Sequence, residues 1–259
     1  MESRIMESGV PDATLSRVPQ VVPVLDVKGG IAVHAVGGRR ACYERVRSVL
    51  GPSADPLELA REIRAAYGLD SIYCADLDAI AGEKPRFDLF EALVADGFEI
   101  EIDAGLRDVA GVGVDALERF PPTARLVAAL ETLASPRALA AMVARRDGIV
   151  FGLDLFKGKP RAATPSAWPP SAVEIARLAI DCGVRSILVL DVARVGGRGG
   201  PGLIELCDEI RALDASIELE TGGGARGPDD LEAYARARVS RILVGTALHD
   251  GSWPRREGR

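Results

Sequence analysis

The chain has 259 residues, of which 47% are hydrophobic and 27% are charged, and its formal net charge is −6 at pH 7. This composition permits a large buried core and excludes a disordered chain. The acidic total argues against nucleic-acid binding, which needs a basic face. No apolar run approaches the ~20 residues of a membrane span, and residues 1–20 lack the apolar block of a signal peptide, so we expect a cytoplasmic protein without a membrane partner.

Short β-rich runs alternate with helical patterns along the whole chain, which indicates βα units around a parallel sheet. Together with the length, this alternation predicts a single (β/α)8 TIM barrel over residues 21–251, between an N-terminal extension (1–20) and a C-terminal tail (252–259). The predicted strands are residues 21–26, 71–77, 98–103, 124–129, 148–154, 186–191, 216–221 and 240–245.

Two local features refine this prediction. Asp55-Pro56 has the capping residue and proline that open a helix. The last predicted strand ends near Gly245, so the final outer helix should be short or missing. Residues 1–20 or a partner subunit of a homo-oligomer are then expected to cover the gap.

The two halves of the sequence repeat one pattern in matched order. Residues 25–30 return as 153–159, residues 74–78 as 189–193, residues 101–107 as 220–226, and residues 125–127 as 241–243. Four matched blocks predict that the barrel is built from two duplicated half-barrels that face a common centre.

Aspartates end several of the predicted strands, where a barrel of this kind places its chemistry. Asp26 ends the first strand and Asp154 ends the fifth, opposite each other across an eight-strand circle. Two carboxyls so placed could exchange protons with one substrate, and we take them as the catalytic candidates. The alternative is that strand-end aspartates cap helices or hold loops. The further candidates for substrate binding are Asp76, Asp103, Asp191 and Arg194.

Glycines follow the last two predicted strands. In this fold the loops after strands seven and eight commonly bind phosphate, so Gly223, Gly224, Gly245 and Thr246 form a candidate phosphate site. At the corresponding places of the first half stand Asp103 and residues 129–130, whose charge and bulk oppose a phosphate dianion. The sequence therefore predicts one anion site and one altered site.

Several other residues allow more than one interpretation. The glycine-rich loop 195–201 could be a mobile lid that brings Arg194 or Arg198 to a substrate, or a flexible connection. The loop 37–40 has the same two interpretations, and His34 is expected to be structural. The four cysteines form no CxxC, so neither zinc nor a redox dithiol is indicated.

Segments 22–30, 75–82, 222–226 and 244–248 resemble the half-barrel-duplicated isomerase and cyclase enzymes of histidine biosynthesis over about residues 21–251. The resemblance implies that Asp26 and Asp154 are an acid–base pair. It also implies an Amadori-type rearrangement of an aminoaldose to an aminoketose, with no metal or organic cofactor.

The sequence departs from that family at one end of the site. The family's substrates carry a phosphate at both ends, whereas only the second-half site is matched here. Leu190, Val195, Gly196 and Gly197 replace residues typical of the isomerases. Segments 131–133, 190–196 and 246–251 resemble a divergent branch of isomerase-related barrels of methanogens and of bacteria with methanopterin-linked one-carbon metabolism.

Three functions are consistent with these residues. The first is proton-transfer isomerisation of a small, singly phosphorylated, sugar-like metabolite. The second is the histidine-pathway ribotide isomerase reaction itself, with a remodelled first phosphate site. The third is a non-catalytic barrel subunit that binds a phosphate ligand.

Overall fold

The architecture is seen in a computed structural model that describes residues 18–108 and 117–256. Most of the predicted N-terminal extension therefore lies outside the described residues. The eight barrel strands are β1 Gln20–Lys28, β2 Ser71–Asp76, β3 Glu99–Asp103, β4 Arg125–Ala129, β5 Ile149–Phe156, β6 Ser186–Asp191, β7 Glu218–Gly222 and β8 Arg241–Val244.

These strands form a closed parallel barrel. Each pairs in parallel with its neighbour in chain order, and β8 pairs with β1 from Gln20↔Arg241 to Pro23↔Val244. The prediction of a single (β/α)8 barrel is thus confirmed, with strand ends within two residues of those expected. Pro23 fits because β1 pairs with β8 through residues 20–23 and with β2 through residues 24–27.

Helices lie between the strands. α1 begins where the Asp55-Pro56 pair predicted, since Asp55 Oδ1 accepts hydrogen bonds from the N–H groups of Leu57 and Glu58 at 3.0 and 2.9 Å. The helices of the described residues are α1 Pro56–Tyr67, α2 Leu77–Ala81, α3 Phe87–Ala95, α4 Pro136–Val143, α5 Ala172–Asp181, α6 Ile204–Leu213, α7 Leu231–Arg236 and α8 Thr246–His249.

The final helix is short, as predicted, with four residues in α8. The segment after α8 lies against α1. The Tyr67 hydroxyl donates to the Leu248 carbonyl at 2.7 Å, and the Arg256 N–H donates to the Ala66 carbonyl at 2.9 Å. Trp253 is 8% exposed and belongs to the main core, so the C-terminal segment packs against α1.

A charged layer crosses the barrel interior near the starts of β4 and β8. Glu101 and Arg125 are the repeat counterparts of Glu220 and Arg241, and each arginine contacts both glutamates. Arg125 Nη1 lies 3.0 Å from Glu101 Oε2, and Arg241 Nε lies 3.4 Å from Glu220 Oε2. Both glutamates are fully buried. The repeat in the sequence therefore places two equivalent pairs of glutamate and arginine inside the barrel.

Candidate active site

A cavity opens at the carboxyl ends of the barrel strands, where this fold carries its chemistry. Both halves of the chain line it. The predicted site residues in its lining are Asp26, Asp103, Asp154, Gly223, Gly224, Gly245 and Thr246.

The two catalytic candidates share this cavity. Asp154 is 7% exposed, and its Oδ2 accepts the Glu131 N–H at 3.1 Å. Asp26 is partly buried, and no hydrogen-bond partner for its carboxyl group lies within residues 18–108 and 117–256.

The environment of both carboxyls favours their protonated forms. Burial raises the pKa of Asp26 to about 7; the Arg40 guanidinium lowers this pKa and the Asp103 carboxylate raises it. Burial, followed by the charges of Glu131 and Asp103, raises the pKa of Asp154 well above its usual value, against the Glu131 N–H and Arg40. Asp26 can therefore give and take a proton near neutral pH, and Asp154 holds its proton more firmly than an ordinary aspartate does.

The glycine side of the cavity presents free backbone donors. Gly223 and Gly224 have φ values of +83° and +108°, which favour glycine. For the N–H groups of Gly223, Gly224 and Thr246, the described part of the chain provides no hydrogen-bond acceptor. The Thr246 hydroxyl lies 3.1 Å from His34 Nε2. Unpaired N–H groups in a glycine turn form a concavity suited to an anion.

Two of the three corresponding donors of the first half are already used. Gly105, the repeat counterpart of Gly224, donates its N–H to Asp103 Oδ1 at 3.1 Å. Leu130, the repeat counterpart of Thr246, donates its N–H to the Gly152 carbonyl at 2.8 Å, and the adjacent Glu131 N–H donates to Asp154. Burial and the Glu131 charge raise the pKa of Asp103 to about 7, and the Tyr73 hydroxyl lies 3.4 Å from Asp103 Oδ2. The first-half position thus presents carboxyl groups where the second half presents N–H groups.

Two arginines and a glutamate at this end were not selected as site residues from the sequence. Glu131, whose side chain is 6% exposed, forms an ion pair with Arg40, and its Oε2 lies 3.5 Å from Arg161 Nη1. All three line the cavity, together with Tyr43 and Tyr73. Glu131 lies two residues after the end of β4, so its position near a strand end was the one available signal.

Three further candidates from the sequence lie away from the cavity lining. Asp76 accepts the N–H groups of Ala79 and Arg86 at 3.1 and 2.9 Å, and so caps α2. Its repeat counterpart Asp191 accepts three backbone N–H groups, those of Lys157, Gly158 and Ala193. Arg194 donates to the Gly200 carbonyl at 3.0 Å, within its own loop. Their placement fits the capping and loop-holding alternative.

The loop after β6 packs tightly onto the loop after β1. The Gly37 N–H donates to the Val195 carbonyl at 2.9 Å. A Cβ atom at Gly196 would lie 2.3 Å from the Ala35 carbonyl oxygen, so a larger residue there would force the loops apart. The Arg198 side chain pairs instead with Asp250 and Ser252. Val195, Gly196 and Gly197 therefore line the cavity with loop backbone and small side chains.

Residues 20–254 match the family model described as "Histidine biosynthesis protein", so the chain belongs to that family. An imidazole-4-carboxamide ribotide isomerase of Acidothermus cellulolyticus is 32% identical, covering 92% of this chain and 95% of its own. A Jannaschia protein of the same name is 30% identical over 89% and 94%. An uncharacterised protein of Methanocaldococcus jannaschii is 29% identical over 90% and 94%. The isomerase names agree with the enzyme class predicted from the sequence. Across the described ranges, no helix has the length and apolar character needed to cross a membrane.

Proposed function

We propose that this protein is an isomerase that moves protons on a small, sugar-like metabolite carrying one phosphate. Asp26 and Asp154 form its acid–base pair, and Gly223, Gly224, Gly245 and Thr246 bind the phosphate. One observation carries the proposal: two carboxyls with raised pKa values line the same cavity as a set of unpaired backbone donors.

The environments of the two carboxyls assign their roles in an Amadori-type rearrangement. Asp154, whose pKa is raised well above its usual value by burial and by the charges of Glu131 and Asp103, is the acid, which protonates the ring oxygen of an aminoaldose as the bond between that oxygen and the first carbon breaks. Asp26, without a hydrogen-bond partner in the described residues, is the base. It removes the proton from the second carbon of the ring-opened imine to give an enaminol, which loses its hydroxyl proton and gains a proton at the first carbon to become the aminoketose. One proton leaves Asp154 and one arrives at Asp26, so solvent exchange restores the starting state.

Proton abstraction can be measured without knowing the product. Singly phosphorylated aldoses and aminoaldoses are incubated with the enzyme in D2O, and NMR follows loss of the proton signal of the second carbon and deuterium incorporation at the first. Asp154→Asn or Asp26→Asn should reduce exchange by about 10²–10⁴-fold, the usual contribution of general acid–base catalysis. Asp181→Asn, at the exposed end of α5, is the matched control and should leave exchange unchanged. Undiminished exchange in both active-site variants would exclude the assigned roles.

A second candidate is the ribotide isomerase reaction that names the relative from Acidothermus cellulolyticus, which is 32% identical. Its substrate would need a second anion position, and the first-half position holds Asp103 and Glu131 instead. Complementation of a histidine auxotroph that lacks this isomerase separates the two candidates. Growth supports the histidine-pathway reaction, and absence of growth with the expressed, folded protein supports a different substrate.

A further inference from the structure

At the first-half end of the cavity, two arginines that could bind an anion already contact a carboxylate of the protein itself. Arg40 comes from the segment after β1. Arg161 directly follows Lys159–Pro160, a two-residue strand that pairs antiparallel with the end of β5. Both guanidinium groups approach one carboxylate, that of Glu131. Paired arginines around a carboxylate resemble the way proteins hold phosphate, because a guanidinium group recognises either anion with the same planar donors.

The place of Glu131 in the repeat gives this contact its meaning. Ala129, which ends β4, and Leu130 after it correspond to Gly245 and Thr246 of the proposed phosphate site, and Glu131 is the next residue. Glu131 therefore lies directly beside the position where a two-fold symmetrical barrel mouth would place its second anion. With a side chain 6% exposed, this carboxylate is held inside the site and does not extend into solvent.

Two backbone N–H groups near the Glu131 side chain also have hydrogen-bond acceptors already. The N–H groups of Gly105 and Glu131 are bound by the carboxyl groups of Asp103 and Asp154, each at 3.1 Å. A phosphate dianion entering this end would have to displace Glu131 from two arginines while lying beside two further carboxyls. The negative charge of Glu131 discriminates strongly against a second anion at this end.

We propose that Glu131 is a built-in anion that occupies the first-half anion position, with Arg40 and Arg161 as its ligands. It restricts the enzyme to substrates with a single phosphate, whose other end is uncharged. This inference rests on the proposed function for the identity of the reacting substrate. The anion site that Glu131 fills is a property of the first half alone and can be tested without any substrate.

The test counts bound inorganic phosphate by equilibrium dialysis at low ionic strength, where such contacts are least screened. Glu131→Ser frees both arginines and opens space, so it should bind one phosphate per chain more than the natural protein. Adding Arg40→Gln to that variant should abolish the increment. Glu131→Asp keeps the charge and should give none. Glu232→Ser, which removes an exposed carboxylate on α7, controls for the change in net charge.

The number of phosphates that Glu131→Ser binds beyond the natural protein is the result that tests the proposed role of Glu131. No additional phosphate in Glu131→Ser, or an additional phosphate that survives Arg40→Gln, would overturn it. If circular dichroism shows that Glu131→Ser does not fold, Glu131→Gln, which keeps the size of the side chain, is judged by the same criterion. The natural protein reports separately on the proposed function: one bound phosphate supports the second-half site, and none contradicts that site whatever the increment.

Discussion

Arg125 joins the two halves of the barrel through Glu220, because a residue that starts β4 of the first half pairs with a fully buried carboxylate of β7 in the second. The same guanidinium also contacts Glu101 of its own half at 3.0 Å. The repeat thus provides the charges that hold its two copies together, since Arg241 completes the set from the other side.

Removing one member of this layer should be strongly destabilising. Arg125→Leu leaves Glu101 and Glu220 side by side without their main counter-charge, and breaking a buried pair typically costs about 3–5 kcal/mol of unfolding free energy. Arg236→Leu breaks only the exposed pair with Glu232 on α7 and should cost less than about 1 kcal/mol. Urea denaturation measures both, and equal losses would show that the buried layer has no special role.

The raised pKa of Asp26 predicts how stability changes with pH. The folded protein keeps this carboxyl protonated up to about pH 7, whereas in the unfolded chain it loses the proton near the ordinary aspartate pKa of 3.8. The folded state therefore binds more protons between these values, and its stabilisation, complete at low pH, is lost as the pH rises towards 7. Asp26→Asn should flatten this decline. Relative to the natural protein, it should be more stable by about 1 kcal/mol or more at pH 8 but not at pH 3.

Denaturation of both proteins across this range checks the sign. Asp181→Asn, with an exposed carboxyl, should follow the natural protein at every pH. An unchanged slope in Asp26→Asn would mean that Asp26 is ionised in the fold at neutral pH.

The charge of Glu131 should set the pH range of activity. This carboxylate raises the pKa of Asp154, so Glu131→Gln should lower that pKa. If Asp154 is the general acid, the alkaline limb of the kcat/KM profile then moves to lower pH. Glu232→Gln is the surface control and should leave the limb in place. A limb that moves to higher pH in Glu131→Gln would contradict the assignment of Asp154 as the acid.

The phosphate site predicts different outcomes for two glycines with similar backbones. Gly224 and Gly97 both have positive φ, at +108° and +82°, so alanine should cost each about 1 kcal/mol of stability. A Cβ atom at Gly97 meets nothing within 4 Å, whereas one at Gly224 lies 3.0 Å from the Gly200 carbonyl oxygen, beside the unpaired donors. Gly224→Ala should therefore raise KM by about 10-fold or more, as expected for the loss of one charge-assisted contact, and Gly97→Ala should not. Steady-state kinetics with the substrate found by deuterium exchange separates the two.

The sequence predicted the barrel and the position of its chemistry because both depend on periodic features. The repeat placed Asp26 and Asp154 at equivalent strand ends, and the structure brings both to one cavity. Asp76 and Asp191 also end strands, so the sequence does not distinguish them from Asp26 and Asp154. Whether a strand-end carboxyl faces the cavity or caps the following turn depends on where the next backbone N–H groups lie. The local sequence does not determine where those N–H groups lie.

The Arg40–Glu131–Arg161 cluster could not be predicted for a related reason. Its members lie 91 and 30 residues apart, on three loops whose paths are fixed by tertiary packing. Arg40 comes after the short strand Ile31–His34, which pairs antiparallel with the end of β1. Its carbonyl accepts a hydrogen bond from Lys28 Nζ at 2.9 Å. The sequence shows the asymmetry of the barrel mouth as a missing glycine run, whereas the pairing of Glu131 with two arginines is seen only in the fold.

The most direct test of this asymmetry is a crystal structure of the natural protein grown with inorganic phosphate. One phosphate should be found, bound by the N–H groups of Gly223, Gly224 and Thr246, with Asp26 and Asp154 facing the same cavity. A phosphate between Arg40 and Arg161 with Glu131 displaced, or the two aspartates facing separate compartments, would contradict the account.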